Sequence, residues 1–389
     1  MTPGARVQAA IEILDDIQGG TPAERAITGW ARRSRFAGSK DRAAVRDHVF
    51  QALRCLRSYA CLGGAATGRG VMIGALGAAK VDLAGMFTGL GYAPSPLTAT
   101  EQDAGFDPRD AGDRMDLPDW IIPDFISALG GEAEANRVAH LLQQRAPVML
   151  RVNARKASVA QAAELLAENG VTAVPSSTAM HALTVTDDAR RVASSAAYLD
   201  GLVELQDGSS QAAMEVLEIT PDARVLDYCA GGGGKVLALA ARADAQWYAH
   251  DALPQRLKDL PERARRAGVN VAIVGSDDLP DHDFDLVLCD VPCSGSGTWR
   301  RNPDAKWRLT SADLEKLTAV QDQILERASA LVRPGGCLAY ATCSVLRQEN
   351  EERLEGFTAH NPMWRVTFQK RWPVSEAGDG FFLAQLKMA

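Results

Sequence analysis

The sequence has no uninterrupted hydrophobic run long enough to cross a bilayer, because its most apolar stretch, Val71 to Tyr92, is broken by Lys80 and Asp82. The N-terminus, MTPGARVQAAIEILDD, lacks the apolar centre of a secretion signal, so a soluble, cytoplasmic protein without a membrane partner is expected. Cysteine is sparse and unsuited to a framework. The seven residues are odd in number, and none forms a C-x-x-C pair facing a second pair or histidines at zinc spacing. That argues against disulfides and a bound metal, and for reduced thiols. Positive charge is short as well: a net charge of −7 disfavours a protein that coats nucleic acid without specificity, since phosphate binding rests on Lys and Arg. The shortage is uneven. Residues 1–70 hold eleven Lys and Arg against six Asp and Glu, so a basic N-terminal segment that touches a polyanion is expected. A solvated helical surface would read the same way.

No internal repeat or low-complexity tract is present, and 389 residues exceed one small core. From Ala5 to about Leu90 apolar residues recur at helical spacing; Val45, Val49, Leu53, Leu56 and Tyr59 fall on one face. Residues 1–92 therefore read as a helical domain. Residues 93–117 gather Pro, Asp and Gly without periodicity and read as a linker. Residues 118–203 contain strand-like APVMLRVN and HALTVT around the helical SVAQAAELLAENG, a small α+β subdomain. Residues 204–389 alternate apolar strands (ARVLDYC, QWYAHD, VNVAIVG, FDLVLCD, GCLAYATC) with helices expected from Lys235, Pro254, Ser311 and Gln348. Strict alternation predicts an α/β fold with a doubly wound, Rossmann-like parallel sheet, whose ligands sit at the carboxyl ends of the strands.

Chemistry gathers at those ends. The first strand runs into the turn Gly231–Gly234, where missing side chains permit close backbone approach to a ligand. A P-loop is excluded, because Cys229 stands where its first glycine should be and Val236 replaces the magnesium-holding Ser or Thr; the G-x-G-x-x-G spacing is missed too. Asp251 follows the second strand where an acidic residue reaches ribose hydroxyls, and Asp277 follows the third where it could accept from an adenine amino group. Each alone is as readily a helix cap, but together they favour a nucleoside cofactor. Cys293 follows strand four in DVPCSGSG and Cys343 ends strand five in YATCSV. If those strands are neighbours, the two thiols converge above one sheet edge. Cys289, inside the apolar run, reads as a small buried hydrophobe.

DYCAGGGGK, DVPCSGSGTWRRNPDAKW, YATCSV followed by ENEE, ELQDGSSQ and DGFFLAQL together resemble the RNA cytosine-C5 methyltransferases of the RsmB/Nop/Sun group. QRAPVMLRVNARK is similar to that family's small RNA-binding subdomain, and the N-terminal helices resemble the NusB-like RNA-binding domain of the RsmB branch, which modifies small-subunit ribosomal RNA. The resemblance implies a class I fold using S-adenosylmethionine, held by Cys229, Ala230, Gly231, Gly232, Gly233, Gly234, Lys235, Asp251, Arg256, Asp277 and Asp290. It implies that Cys343 is the nucleophile that attacks cytosine C6, with its thiolate favoured by the helix from Gln348. Cys293 assists release, Asp290 bonds the base near N3, and Lys235 stands on the active-site side of the loop. Arg300, Arg301 and Lys306, with Trp299, would supply charge and stacking for the RNA strand. The loop departs from the family's Cys-Ala-Ala-Pro-Gly-Gly-Lys-Thr at Gly231, Gly232 and Val236, losing a rigidifying proline and a hydroxyl. The same chemistry on tRNA or another ribosomal site, and an inactive RNA-binding assembly factor, are the alternatives. A monomer is expected.

Overall fold

A computed structural model describes residues Met1–Met388. The chain forms two compact units: Met1–Arg145 with the inserted segment Trp299–Leu309, and Ala146–Thr298 with the residues from Thr310 onward.

The first unit is helical throughout its opening, with Pro3–Gln18, Ala23–Arg33, Ser39–Arg54, Leu56–Leu62 and Gly68–Ala78. Val45, Val49 and Leu53 stand at successive i+4 positions and are buried together with Leu14, Trp30 and Val71. Leu56 and Tyr59 are only half-buried, because the helix breaks at Cys55 (φ −123°, ψ 37°) and a new one starts at Leu56. The stretch 93–117, which composition marks as a linker, is packed into this unit. Thr98 and Glu101 form a capping box on the helix Ala99–Asp103, and Glu101 is paired with Arg69 at 2.6 Å. Buried Asp116 accepts from the backbone N–H groups of Arg57 and Ser58, both at 2.9 Å. Its polar residues cap and pin neighbouring helices, a use that composition cannot distinguish from solvation. The unit continues through the helix Glu132–Leu142, and the small sheet begins at Val148.

The second unit holds two sheets. Strands β1 (Val148–Val152), β2 (Thr172–Pro175), β3 (Ala182–Asp187) and β4 (Val203–Leu205) pair antiparallel in the order β2-β3-β1-β4. The larger sheet contains β5 (Arg224–Asp227), β6 (Gln246–Ala249), β7 (Val271–Ile273), β8 (Phe284–Asp290), β9 (Val332–Thr342), β10 (Trp364–Trp372) and β11 (Phe381–Met388), ordered β10-β11-β9-β8-β5-β6-β7. The five strands β5 to β9 are parallel, and β8 lies between β5 and β9. Leu286, Val287, Leu288 and Cys289 are covered on both faces, which is why β8 reads as an unbroken apolar run. Strands β10 and β11 pair antiparallel at one edge and lie beyond the five strands read from the sequence. WRVTFQKRW is polar and largely exposed, as an edge strand should be, so it lacks the apolar signal of its inner neighbours.

Candidate active site

In such sheets ligands sit at the carboxyl ends of the central strands, where the order here switches from β5 to β8. The turn after β5 holds Gly231 at φ +50° and Gly233 at φ +81°, in the left-handed region. The backbone favours glycine at Gly233, and a Cβ there would lie 2.2 Å from Leu260 Cδ1, so a side chain would also displace Leu260. Lacking proline, the turn is fixed from outside. Arg151 on β1 donates to Gly234 O at 2.7 Å, and Arg263, itself paired with Glu204, donates to Gly232 O. Burial pushes the Arg151 pKa down to about 10. None of Arg151, Glu204 and Arg263 was singled out in the sequence, because they become partners of the turn only through tertiary packing.

Asp251 is buried after β6 and closes the same turn. Its Oδ2 accepts from Gly231 N–H at 2.9 Å and meets Arg256 at 3.0 Å, while its Oδ1 accepts from Leu253 N–H at 3.0 Å. These three contacts leave the carboxylate acceptor capacity for a ligand hydroxyl. Asp277 is exposed after β7 in the short 3₁₀ turn Ser276–Asp278. Cys229 and Ala230 precede the glycines, with the Cys229 thiol raised by burial and by Asp227. Asp227, at the end of β5, is 1% exposed; Oδ2 accepts from Val236 N–H at 3.1 Å, and Oδ1 is buried without a partner. Burial, reinforced by Asp290, raises its pKa to about 7. A glycine cradle beside an orphaned buried carboxylate oxygen fits a ligand with a cationic group and ribose hydroxyls.

Strands β8 and β9 are neighbours, with Asp290 opposite Ala341, so the residues following them meet. Cys293 Sγ and Cys343 Sγ stand 3.4 Å apart. Lys235 Nζ donates to Asp290 Oδ2 at 2.5 Å. Burial works against the Lys235 cation, but Asp290 and Asp227 raise its pKa on balance. The thiols divide their proton unequally. The hydrogen bond between the thiols lowers the pKa of Cys343 against its burial, and Lys235 and Thr298 act in the same direction. Cys293 is raised by that bond and by burial. The helix expected from Gln348 starts only at Glu351, with Glu351 and Glu352 in its first turn, so the hydrogen bond with Cys293, not that helix, is the main effect favouring the Cys343 thiolate.

The loop carrying Cys293 is held by a buried network. Glu349 accepts from Ser294 N–H at 2.7 Å, from the Ser294 hydroxyl, and from Gln321 Nε2 at 3.1 Å; Gln321 also donates to Pro292 O at 2.9 Å. Asn350 donates to Ser344 O at 2.9 Å and accepts from Thr342 Oγ1 at 2.5 Å. At Gly297 the backbone N–H donates to Cys343 O at 2.9 Å, and a Cβ there would stand 2.7 Å from Gly380 Cα. Glu349 lies in the ENEE motif, yet nothing in its spacing announced a buried clamp. Its partners, Ser294 and Gln321, arrive from two separate segments.

The expected RNA-facing cluster is placed otherwise. Trp299, Arg300 and Lys306 are buried, and only Arg301 is exposed. Lys306 Nζ donates to Arg54 O at 2.9 Å, Trp307 Nε1 to Leu53 O at 2.7 Å, and burial lowers the Lys306 pKa to about 8. The basic and aromatic residues dock the short helix Pro303–Arg308 into the helical unit, so Trp299, Arg300 and Lys306 do not form an open stacking surface. Among the described residues no group of three or more His, Cys, Asp and Glu could hold a metal ion, and no helix is long and apolar enough to cross a membrane.

Residues 214–387 match the family profile described as 16S rRNA methyltransferase RsmB/F, and residues 117–192 match the Methyltr_RsmF/B-like, ferredoxin-like domain. The chain is 30% identical over 304 residues to the probable ribosomal RNA small subunit methyltransferase B of Synechocystis sp., covering 72% of this chain and 68% of that protein. It is 33% identical over 284 residues to the ribosomal RNA small subunit methyltransferase B of Cronobacter sakazakii, covering 69% and 66%. The matches thus span about two thirds of these relatives. The crystal structure of PH0851 superposes with a TM-score of 0.76 over 100% of this chain and 99% of that one at 23% identity. A methyltransferase homolog from Pyrococcus horikoshii gives 0.61 at 27% identity, over 71% of this chain and 97% of that one. A glycine cradle at the switch point of this sheet, together with these matches, leads to one conclusion: the chain belongs to the RsmB/F family of methyltransferases.

Proposed function

We propose that the protein transfers a methyl group from S-adenosylmethionine to C5 of a cytosine in small-subunit ribosomal RNA, through a covalent bond between Cys343 and C6. The observation that carries this reading is the pair of thiols 3.4 Å apart beside the Lys235–Asp290 pair. Cytosine C5 is too electron-poor to attack an electrophilic methyl group unaided, and a thiolate adding to C6 turns the ring into an enamine-like nucleophile. The lowered pKa of Cys343 suits that task. The charge that develops at N3 during addition is met by the proton shared between Asp290 and Lys235. After the methyl group arrives, a water molecule beside Cys293 takes the C5 proton, because the Cys293 thiol, raised by burial, keeps its own. The ring electrons then expel the Cys343 thiolate, and product and free enzyme are restored.

The methyl donor supplies the electrophilic carbon. Gly231, Gly232, Gly233 and Gly234 would pass beneath it, Asp251 and Arg256 would hold its ribose, Asp277 its adenine, and the free Asp227 oxygen its cationic group. The target base must be unpaired or extruded from its stack. The small sheet and the helical unit are read as RNA-binding parts, the latter NusB-like, and the Cronobacter and Synechocystis relatives, both named for the ribosomal small subunit, support that substrate over tRNA. The test is to incubate the purified chain with unmodified 16S rRNA and methyl-labelled S-adenosylmethionine, then identify the labelled nucleoside. 5-Methylcytosine is expected; label on any other base or atom overturns the reading.

A further inference from the structure

The helical unit contains a cavity of about 310 Å³ at which four guanidinium groups, Arg46, Arg54, Arg145 and Arg301, meet one lining carboxylate, Asp47. Three parts of the unit converge on it: the helix Ser39–Arg54, the residue that ends the unit's first segment, and the inserted segment Trp299–Leu309. Arg46, Phe50 and Arg54 follow at i+4 spacing, so one helix face presents two of the cations with an aromatic ring between them.

Arg46 and Arg54 are held in place. Glu24 grips Arg46 by both terminal nitrogens, at 2.7 and 2.5 Å, and the Phe50 ring lies 4.5 Å beneath the guanidinium. Arg54 is 8% exposed and donates to neutral acceptors, Arg300 O at 2.7 Å and Gln51 Oε1 at 3.4 Å. Burial and the neighbouring Arg145 disfavour its cation and outweigh the opposing attraction of Asp47. Arg145 approaches Asp47 only to 3.7 Å, beyond hydrogen-bond length. Positive charge therefore exceeds negative charge at the cavity even when Glu24 is counted, and it is concentrated in a chain whose overall charge is −7.

We propose that this cavity binds a backbone phosphate of the RNA substrate, using guanidinium forks from Arg145 and Arg301 with Arg46 and Arg54 behind them. The proposal rests on RNA being the substrate and adds a site for holding it. Planar guanidinium groups match phosphate oxygens two at a time, and an anion would supply the counter-charge that the buried Arg54 lacks in its own neutral contacts. The volume is at the small end of ligand pockets, roughly 300 to 1,000 Å³, and admits a phosphodiester with part of its ribose.

The test measures binding of a fluorescent small-subunit rRNA fragment to the full chain across a salt series. Replacing two exposed residues outside the catalytic site, Arg145→Gln with Arg301→Gln, should raise the RNA dissociation constant about tenfold. The slope of log affinity against log salt should shrink by roughly 0.7 for each single-strand phosphate lost. Binding of S-adenosylmethionine, measured by calorimetry, should not change. The pair Arg145→Lys with Arg301→Lys keeps both charges and should retain the slope; if it loses the slope equally, the effect is one of packing and the site is overturned. Unchanged RNA affinity and slope in the Gln pair overturn the site while leaving RNA as substrate. A native chain that binds an acidic peptide but no RNA overturns both.

Discussion

The two loops that form the candidate active site are stabilised in opposite ways. The glycine turn after β5 has almost no side chains of its own, so it is held through its carbonyl oxygens by Arg151 and Arg263, charged groups brought in from elsewhere in the unit. The loop after β8 carries its own anchors: Ser294 and Ser296 bond to Glu349, to Ser344 and to the backbone of Val345 inside a buried network. A surface that must lie against a ligand can be firm only if its support comes from behind, whereas a loop that must aim one thiol can be tied from within. Disturbing the first loop should therefore affect donor binding, and disturbing the second should affect chemistry.

The largest expected effect is at the thiols. Cys343→Ala should abolish methylation and any covalent RNA adduct, because no nucleophile then reaches C6. Cys293→Ala also removes the hydrogen bond that favours the Cys343 thiolate, so it should complete addition and methyl transfer more slowly and then stall before release, leaving a slow-migrating RNA–protein species on a denaturing gel that vanishes in the double variant. An adduct formed by Cys343→Ala would exchange the two roles.

Glu349→Gln sharpens the contrast between the loops. An amide placed where a carboxylate accepts from Ser294 and Gln321 leaves buried donors facing one another, at a cost of about 2 kcal/mol in stability. Turnover should fall at least tenfold while the dissociation constant of S-adenosylmethionine stays within twofold. Equal losses in both quantities would mean that the two loops are not separately supported.

A smaller effect is expected from Asp251→Ala, which removes the contact closing the glycine turn and the proposed ribose ligand together. The dissociation constant of S-adenosylmethionine should rise about tenfold, in line with roughly 1.5–3 kcal/mol for a charge-assisted hydrogen bond. Calorimetry that finds no change would leave Asp251 with the turn-closing role alone.

The smallest effect concerns pH. The folded chain raises the pKa of Asp227 to about 7, above its unfolded value near ~3.9, so the native state binds that proton more tightly than the unfolded state does. Asp227 therefore contributes stability at low pH that is lost as pH rises from the unfolded value toward about 7. Asp227→Asn keeps an acceptor for Val236 N–H and removes the titration. Its melting temperature should decline less between pH 5 and pH 8 than that of the native chain; parallel curves would show that burial does not hold this proton.

Much of this was legible in the chain itself. Alternating apolar runs determined the parallel core from β5 to β9, because a strand covered on both faces needs an unbroken apolar stretch and its crossover helix needs a 3.6-residue period. The glycines after Tyr228 marked the ligand turn, and motif resemblance named the two cysteines, since both are local patterns of residue type. Three matters were decided only by the tertiary structure. The polar stretch 93–117 is packed because its Asp and Glu side chains find helix ends that lie far away in sequence. Trp299, Arg300 and Lys306 are buried because a basic, aromatic helix can dock on backbone carbonyls as readily as on RNA, and composition does not distinguish the two. Cys293 and Cys343 meet at a 3.4 Å separation that fifty residues of sequence cannot specify, because only the pairing of β8 with β9 brings the two thiols together.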